Sequence, residues 1–171
     1  MELQARAIAD LANNAEQLRA AFAGFQPEEL TRRPASGGWS PLEVMHHLRD
    51  EEHEDFPLRI RMTLEDPNQP WPPIDPEGWA VSRRYNEAQP DSILAEFLEA
   101  RRHNLDWLRL LKQPDWDLVH AHPQGDLSAR QLLLCWLAHD LLHLRQLLRL
   151  RWHLLELQRR SPEDLYYAGS W

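Results

Sequence analysis

A single cysteine, Cys135, leaves no disulfide to be made within this chain, which fits a reducing compartment. Cys135 lies inside an apolar run and reads as a small buried residue. The other reading, a nucleophile or metal ligand, lacks any neighbour in the sequence that would lower its pKa. No uninterrupted apolar stretch reaches the about 18 residues that a membrane span needs. The opening segment MELQARAIADLANNAEQL has neither the basic start nor the apolar centre of a signal peptide, so a cytoplasmic protein with no membrane partner is expected. Basic residues are outnumbered, 19 Lys and Arg against 27 Asp and Glu, for a formal charge of -8. That balance makes the chain a poor candidate for a nucleic-acid partner, which requires a concentrated basic patch. The pairs Arg32-Arg33, Arg83-Arg84 and Arg101-Arg102 read as solvated surface. Glycine is scarce, β-branched residues are few, and no stretch alternates apolar with polar as a half-buried strand would.

What the chain has in quantity is Leu, Ala, Arg, Glu and Gln, the residues of helices. Its 171 residues suffice for one core, so residues 1–171 are expected to form one all-α domain. A first helix is predicted from about Glu2 to Ala23, with Ile8, Leu11, Ala15, Leu18 and Phe22 as its stripe. After the breaker-rich RRPASGG, Ser40, Pro41 and Glu43 supply an N-cap, a first-turn proline and a capping box for the second helix. Pro57 should kink that helix or divide it from a piece ending near Asp66. The proline-rich DPNQPWPPIDPEG leads to a short helix around Trp79 to Asn86, then to a third long helix from Asp91, its cap, to Leu111. The fourth, from about Ser128 to Leu157, is apolar over much of its circumference. One bundle covers only one wide face, so the surplus suggests a homodimer.

Nine histidines are many for this length. His139 and His143, four apart on the fourth helix, share one face and can chelate one ion through their imidazoles; alone, the pair is a weak signal and fits two core or interface histidines bonded to neighbouring groups better. His47, close to the apolar seam of the second helix, offers a third nitrogen where facing helices meet. His46 points about 100° away from it. His46, His53, His103, His120, His122 and His153 read as surface or loop residues, His120 and His122 being placed to line a pocket mouth.

These residues resemble the DinB-like superfamily. GGWSPLEVMHHLRDEE is similar to its second-helix signature, carried here by Trp39, Ser40, Glu43 and His47. AHDLLHLRQL is similar to its later motif, carried by His139, His143 and Gln146. The middle piece DPEGWAVSRRYNEAQPDSILAEFLEARRHNLDWLRLL also looks like members of the group. One departure lies in HAHPQGDLSARQLL, where Ser128 and Ala129 stand in place of the threonine or serine plus hydrophobic residue of many relatives. The resemblance implies a four-helix bundle of up-down-down-up type, frequently dimeric, in which His47, His139 and His143 bind zinc, nickel or iron.

Three neutral imidazoles leave coordination positions open and so suit a catalytic site, where an ion lowers the pKa of bound water or thiol. Two reactions follow, hydrolysis and thiol transfer. Relatives that are S-transferases for low-molecular-weight thiols such as bacillithiol or mycothiol favour the second, with a small-molecule substrate. Glu43, Asp50 and Glu51 are the acidic candidates for a proton acceptor, and each fits a capping or solvated role as well. Trp71, Trp79 and Tyr85 are candidates for a pocket wall. Two alternatives remain open: a metal- or ligand-binding stress-response module without turnover, and a structural dimer whose histidines merely pack.

Overall fold

The periodic segments fold as helices. In the computed structural model, which describes residues 2–123 and 125–169, they are α1 (Glu2–Phe22), α2 (Pro41–Glu54), α3 (Phe56–Glu65), α4 (Pro76–Ser82), α5 (Pro90–Leu110) and α6 (Ala129–Glu156). The capping box of α2 forms as its sequence dictates: Ser40 Oγ accepts from the Glu43 N–H, and Glu43 accepts from the Ser40 N–H. Pro57 divides α2 from α3, with Asp55 between them off the helical backbone at φ -126°, ψ -103°. Some boundaries differ from expectation. Asp91 is not the cap of α5; Gln89 holds that place, Pro90 opens the helix, and Asp91 adds its charge to the first turn. The short helix runs Pro76–Ser82, not Trp79 to Asn86, and left-handed Arg84 (φ 53°) separates it from a 3-10 turn at Tyr85–Glu87. A small antiparallel pair, β1 (Val119–His120) with β2 (Leu127–Ser128), also forms, too short for alternation to mark it in the sequence.

The bundle consists of α1, α2 with its continuation α3, α5 and α6. Residue pairings fix its directions. Gln4 meets Leu108 while Arg101 meets Leu11, so α1 and α5 are antiparallel. Arg49 pairs with Glu96 and Glu52 with Arg101, so α2 and α5 run together. His47 faces His139 while Glu52 faces Trp136, so α2 and α6 are opposed. The order is up-down-down-up.

Two apolar clusters fill the interior. One gathers Leu18, Phe22, Leu42, Leu48, Phe97 and Leu147; the other gathers Leu11, Ile60, Leu108, Leu133 and Trp136. Between them lies a polar belt, with one member or more from each bundle helix. Arg101, only 2% exposed, donates to Glu52 Oε1 (2.7 Å), to both oxygens of Asp140 (2.8 Å each) and to the Leu11 carbonyl (2.9 Å). Trp136 Nε1 and Asn104 Nδ2 complete the shell of Glu52. Arg101 is therefore no surface residue: a buried guanidinium is stable only when its donors are met by carboxylates and carbonyls, as here. Arg33 and Arg83 likewise prove to be paired, with Glu43 and with Asp50 and Glu54.

Candidate metal centre

The histidines stand at the level of this belt. The seam position of His47 on α2 and the one-turn spacing of His139 and His143 on α6 aim three rings at one point. His139 Nε2 lies 3.2 Å from His47 Nε2 and 3.1 Å from His143 Nε2. One potential ligand nitrogen from each ring lies within 4.8 Å of the other two. Two nitrogens each about 2.1 Å from a shared ion stand at most about 4.2 Å apart, a limit the 3.1 and 3.2 Å separations meet.

Hydrogen bonding alone serves this cluster poorly. A ring nitrogen carries either one hydrogen or one in-plane lone pair, so His139 Nε2 cannot make two good bonds to neighbouring nitrogens. His143 Nδ1 is engaged with Gln146 Oε1 at 2.8 Å. The amide oxygen accepts, so Nδ1 carries the hydrogen and Nε2 presents a lone pair inward. His47 Nδ1 is buried without a hydrogen-bond partner, its nearest acid oxygen being Glu51 Oε1 at 3.5 Å. Burial holds the His47 ring down to about 2, the other two imidazoles adding to it. Burial, His143 and the Arg101 charge hold His139 down to about 3. His143 is lowered by burial as well. Three imidazoles kept neutral by burial converge on one point, and that donor set fits a divalent ion of the zinc, nickel or iron type.

The surroundings were partly missed in the sequence. Trp39 covers the cluster, its ring centroid 4.7 Å from that of His47 and 6.4 Å from that of His143, the latter nearly parallel. Gly37 and Gly38, at φ 86° and 101°, make the turn that delivers it. Phe56, at the start of α3, packs 5.1 Å from His139. The predicted wall residues lie elsewhere. Trp71 stacks on His120, Trp79 lies under Arg83, and Tyr85 is buried against His46. His46 and His120 are thus buried rather than surface residues, while His53 and His103 are exposed as expected. Cys135 is exposed, not buried, because it falls on the outer side of α6. The alternation of apolar residues that would separate the two sides is hidden in a helix this rich in leucine.

The acidic candidates take different places. Glu43 is buried. Burial pushes its carboxyl up, but Arg33 and the Ser40 N–H outweigh this and hold it below the usual range. Asp50 accepts from Tyr85 Oη and Arg83 Nη1, each at 2.6 Å, and faces Arg49. Glu51 stands behind His47, and burial together with Asp55 pushes its carboxyl up to about 9 in the absence of a bound cation.

A sequence profile of the DinB superfamily matches residues 10–147, most of the chain. The chain belongs to the DinB superfamily. It is 30% identical over 151 residues to a candidate metal-dependent hydrolase of Geobacillus thermodenitrificans, covering 84% of this chain and 82% of that one. It is also 30% identical over 99 residues to a similarly named protein of Oceanobacillus iheyensis, covering 57% and 56%. Among solved structures it is similar to YfiT from Bacillus subtilis, described as a candidate metal-dependent hydrolase with an unusual four-helix bundle topology. The TM-score is 0.79 at 21% identity, over 88% of this chain and 87% of the other. The YfiT likeness concerns the fold, and it agrees with the up-down-down-up order of this DinB bundle. Among the described residues no helix is long and apolar enough to cross a membrane.

Proposed function

We propose that this DinB protein is a metal-dependent enzyme acting on a small molecule, a hydrolase or thiol S-transferase, with His47, His139 and His143 as the ligands of zinc, nickel or iron. The observation that carries the reading is the convergence of three imidazole nitrogens kept neutral by burial, with separations of 3.1 and 3.2 Å, on a point where His139 Nε2 cannot make a full bond to both neighbours. Such an ion, when bound, keeps its full charge and supplies Lewis acidity at coordination positions the protein leaves open. The protein's own share is orientation. Gln146 holds the proton of His143 at Nδ1, and Glu51 is placed to hold that of His47 at Nδ1, leaving the Nε2 lone pairs directed inward. Trp39 and Phe56 wall the cluster against bulk water. Glu43 and Asp50 have their oxygens committed to arginine, backbone and tyrosine partners, which leaves Glu51 as the acid nearest the chemistry.

The names of the relatives support hydrolysis; the family resemblance supports transfer to a low-molecular-weight thiol. Zinc-loaded protein assayed with activated esters, and with bacillithiol or mycothiol plus an electrophile, separates the two. Turnover that disappears in His143→Ala supports the enzyme. Metal retention with no turnover across both panels would leave a binding module instead. We read the whole chain as one domain and, from its one thiol, place it in the cytoplasm. We also propose a homodimer through α6, since Leu134, Leu141, Leu148 and Leu155 recur every seven residues there and are 39–52% exposed. Light scattering on Leu141→Arg/Leu148→Arg should show a monomer where the wild type is a dimer; equal masses would sink that assembly.

A further inference from the structure

Arginines in this acidic chain generally sit against a carboxylate, as Arg33, Arg83 and Arg101 do. Arg145 and Arg149 do not. Both are exposed on α6, four residues apart, and among the described residues no carboxylate pairs with either. Unpaired arginines are unremarkable on a surface, but these two border the histidine cluster. A cleft of about 360 Å³ is lined by Leu142, His143, Arg145, Gln146 and Arg149. A larger cleft of about 730 Å³ is lined by Trp39, Gln146, Arg149, Trp152 and Tyr166 among others. Gln146 and Arg149 belong to both, so Arg149 stands at the junction. Trp39 is the indole that lies over His47 and His143.

The larger cleft has the size of an ordinary small-molecule pocket, which falls at about 300–1,000 Å³. Its acid, Glu156, faces Arg159 at 4.0 Å, so it does not neutralise Arg149. His143 lines the smaller cleft, so a divalent ion at the three imidazoles would add further positive charge there, beside Arg145 and Arg149. Two adjoining clefts with cationic groups at their junction, the larger lined by flat aromatic rings and the smaller by His143, select a ligand with an anionic head and a planar body.

We propose that the substrate of the metal site is a small organic anion, bearing a carboxylate or phosphate group, held at that group by Arg149 with Arg145 beside it and flanked along its body by Trp39. This rests on the metal-site reading above and adds the class of molecule the site accepts. Both arginines project from the outer side of a long helix, Arg145 beside Leu141 and Leu148 of the proposed dimer row, so replacing them leaves the core untouched and light scattering on each variant checks that the assembly is unchanged.

The test uses full-length zinc-loaded protein, titrated with phenyl phosphate, benzoate and neutral benzyl alcohol, with calorimetry as the readout. Zinc content is measured by elemental analysis on each sample, beside Arg149→Gln and the Arg145→Gln/Arg149→Gln pair. The expected result is binding of phenyl phosphate or benzoate, with benzyl alcohol much weaker. Affinity for the anion should fall by about tenfold or more in the variants, the size of a lost charge-assisted bond, at unchanged zinc content. Whichever anion binds more tightly identifies the head group. Full zinc with equal binding of anion and alcohol, or with anion binding indifferent to both variants, overturns the inference while the metal site stands. Absence of zinc from the wild type overturns the metal-site reading and this inference together.

Discussion

His143 donates its Nδ1 hydrogen to Gln146 Oε1, and that one bond fixes which nitrogen the ring turns towards His139. Leucine at position 146 keeps the bulk and removes the acceptor. Gln146→Leu should therefore weaken zinc binding by about 10- to 100-fold, the usual cost of losing the partner that orients a ligand histidine. Competition with a chromophoric chelator measures this, and unchanged affinity would show that packing alone orients the ring. At the scale of residues the sequence was informative where spacing is local. The one-turn separation of His139 and His143, and Gln146 three residues on, follow from helix geometry alone. Arg101 was illegible for the opposite reason. Its partners Glu52 and Asp140 stand 49 and 39 positions away, so nothing in ARRHN distinguishes it from exposed Arg102.

Helix α2 carries His47, and its start is set by three residues that the sequence displays openly. Pro41 opens the helix, Ser40 caps it, and Glu43 answers the cap while accepting from Arg33. Ser40→Ala should cost about 1 kcal/mol of stability, as lost N-caps do. Glu43→Ala should cost more, since it also strands the Arg33 guanidinium and the Ser40 N–H. Chemical denaturation checks both. In each variant zinc affinity should stay near that of the wild type, because the ligand lies a turn further on; a selective loss of zinc with normal stability would return Glu43 to the site. The proline-rich joint was harder to read. Its tryptophans looked like a wall for the metal pocket, yet Trp71 serves His120 and Trp79 serves Arg83. The indole over the cluster comes instead from Trp39, brought there by a two-glycine turn whose direction depends on the tertiary packing.

The whole molecule has two apolar clusters with a belt of charge between them, and the histidines share the level of that belt. The polar groups of the belt are costly to bury and are tolerated because each finds several partners. Arg101→Met should destabilise by about 3–5 kcal/mol, since it leaves the buried Glu52 and Asp140 carboxylates without their shared cation. Thermal unfolding at neutral pH tests that, and a loss under about 1 kcal/mol would mean that water replaces the guanidinium. The bundle itself was legible from helical periodicity and from two family motifs. The convergence of α2 and α6 on one point was suggested by the seam position of His47 and became specific only through the resemblance, because periodicity cannot say which helices face each other. That convergence is the central claim, and metal content tests it most directly. Protein purified without an affinity tag, offered zinc or nickel and analysed for elements, should hold close to one ion per chain. The His47→Ala/His139→Ala/His143→Ala variant should hold almost none. Negligible metal in both would contradict the account and leave the three histidines as packed, uncharged members of the bundle.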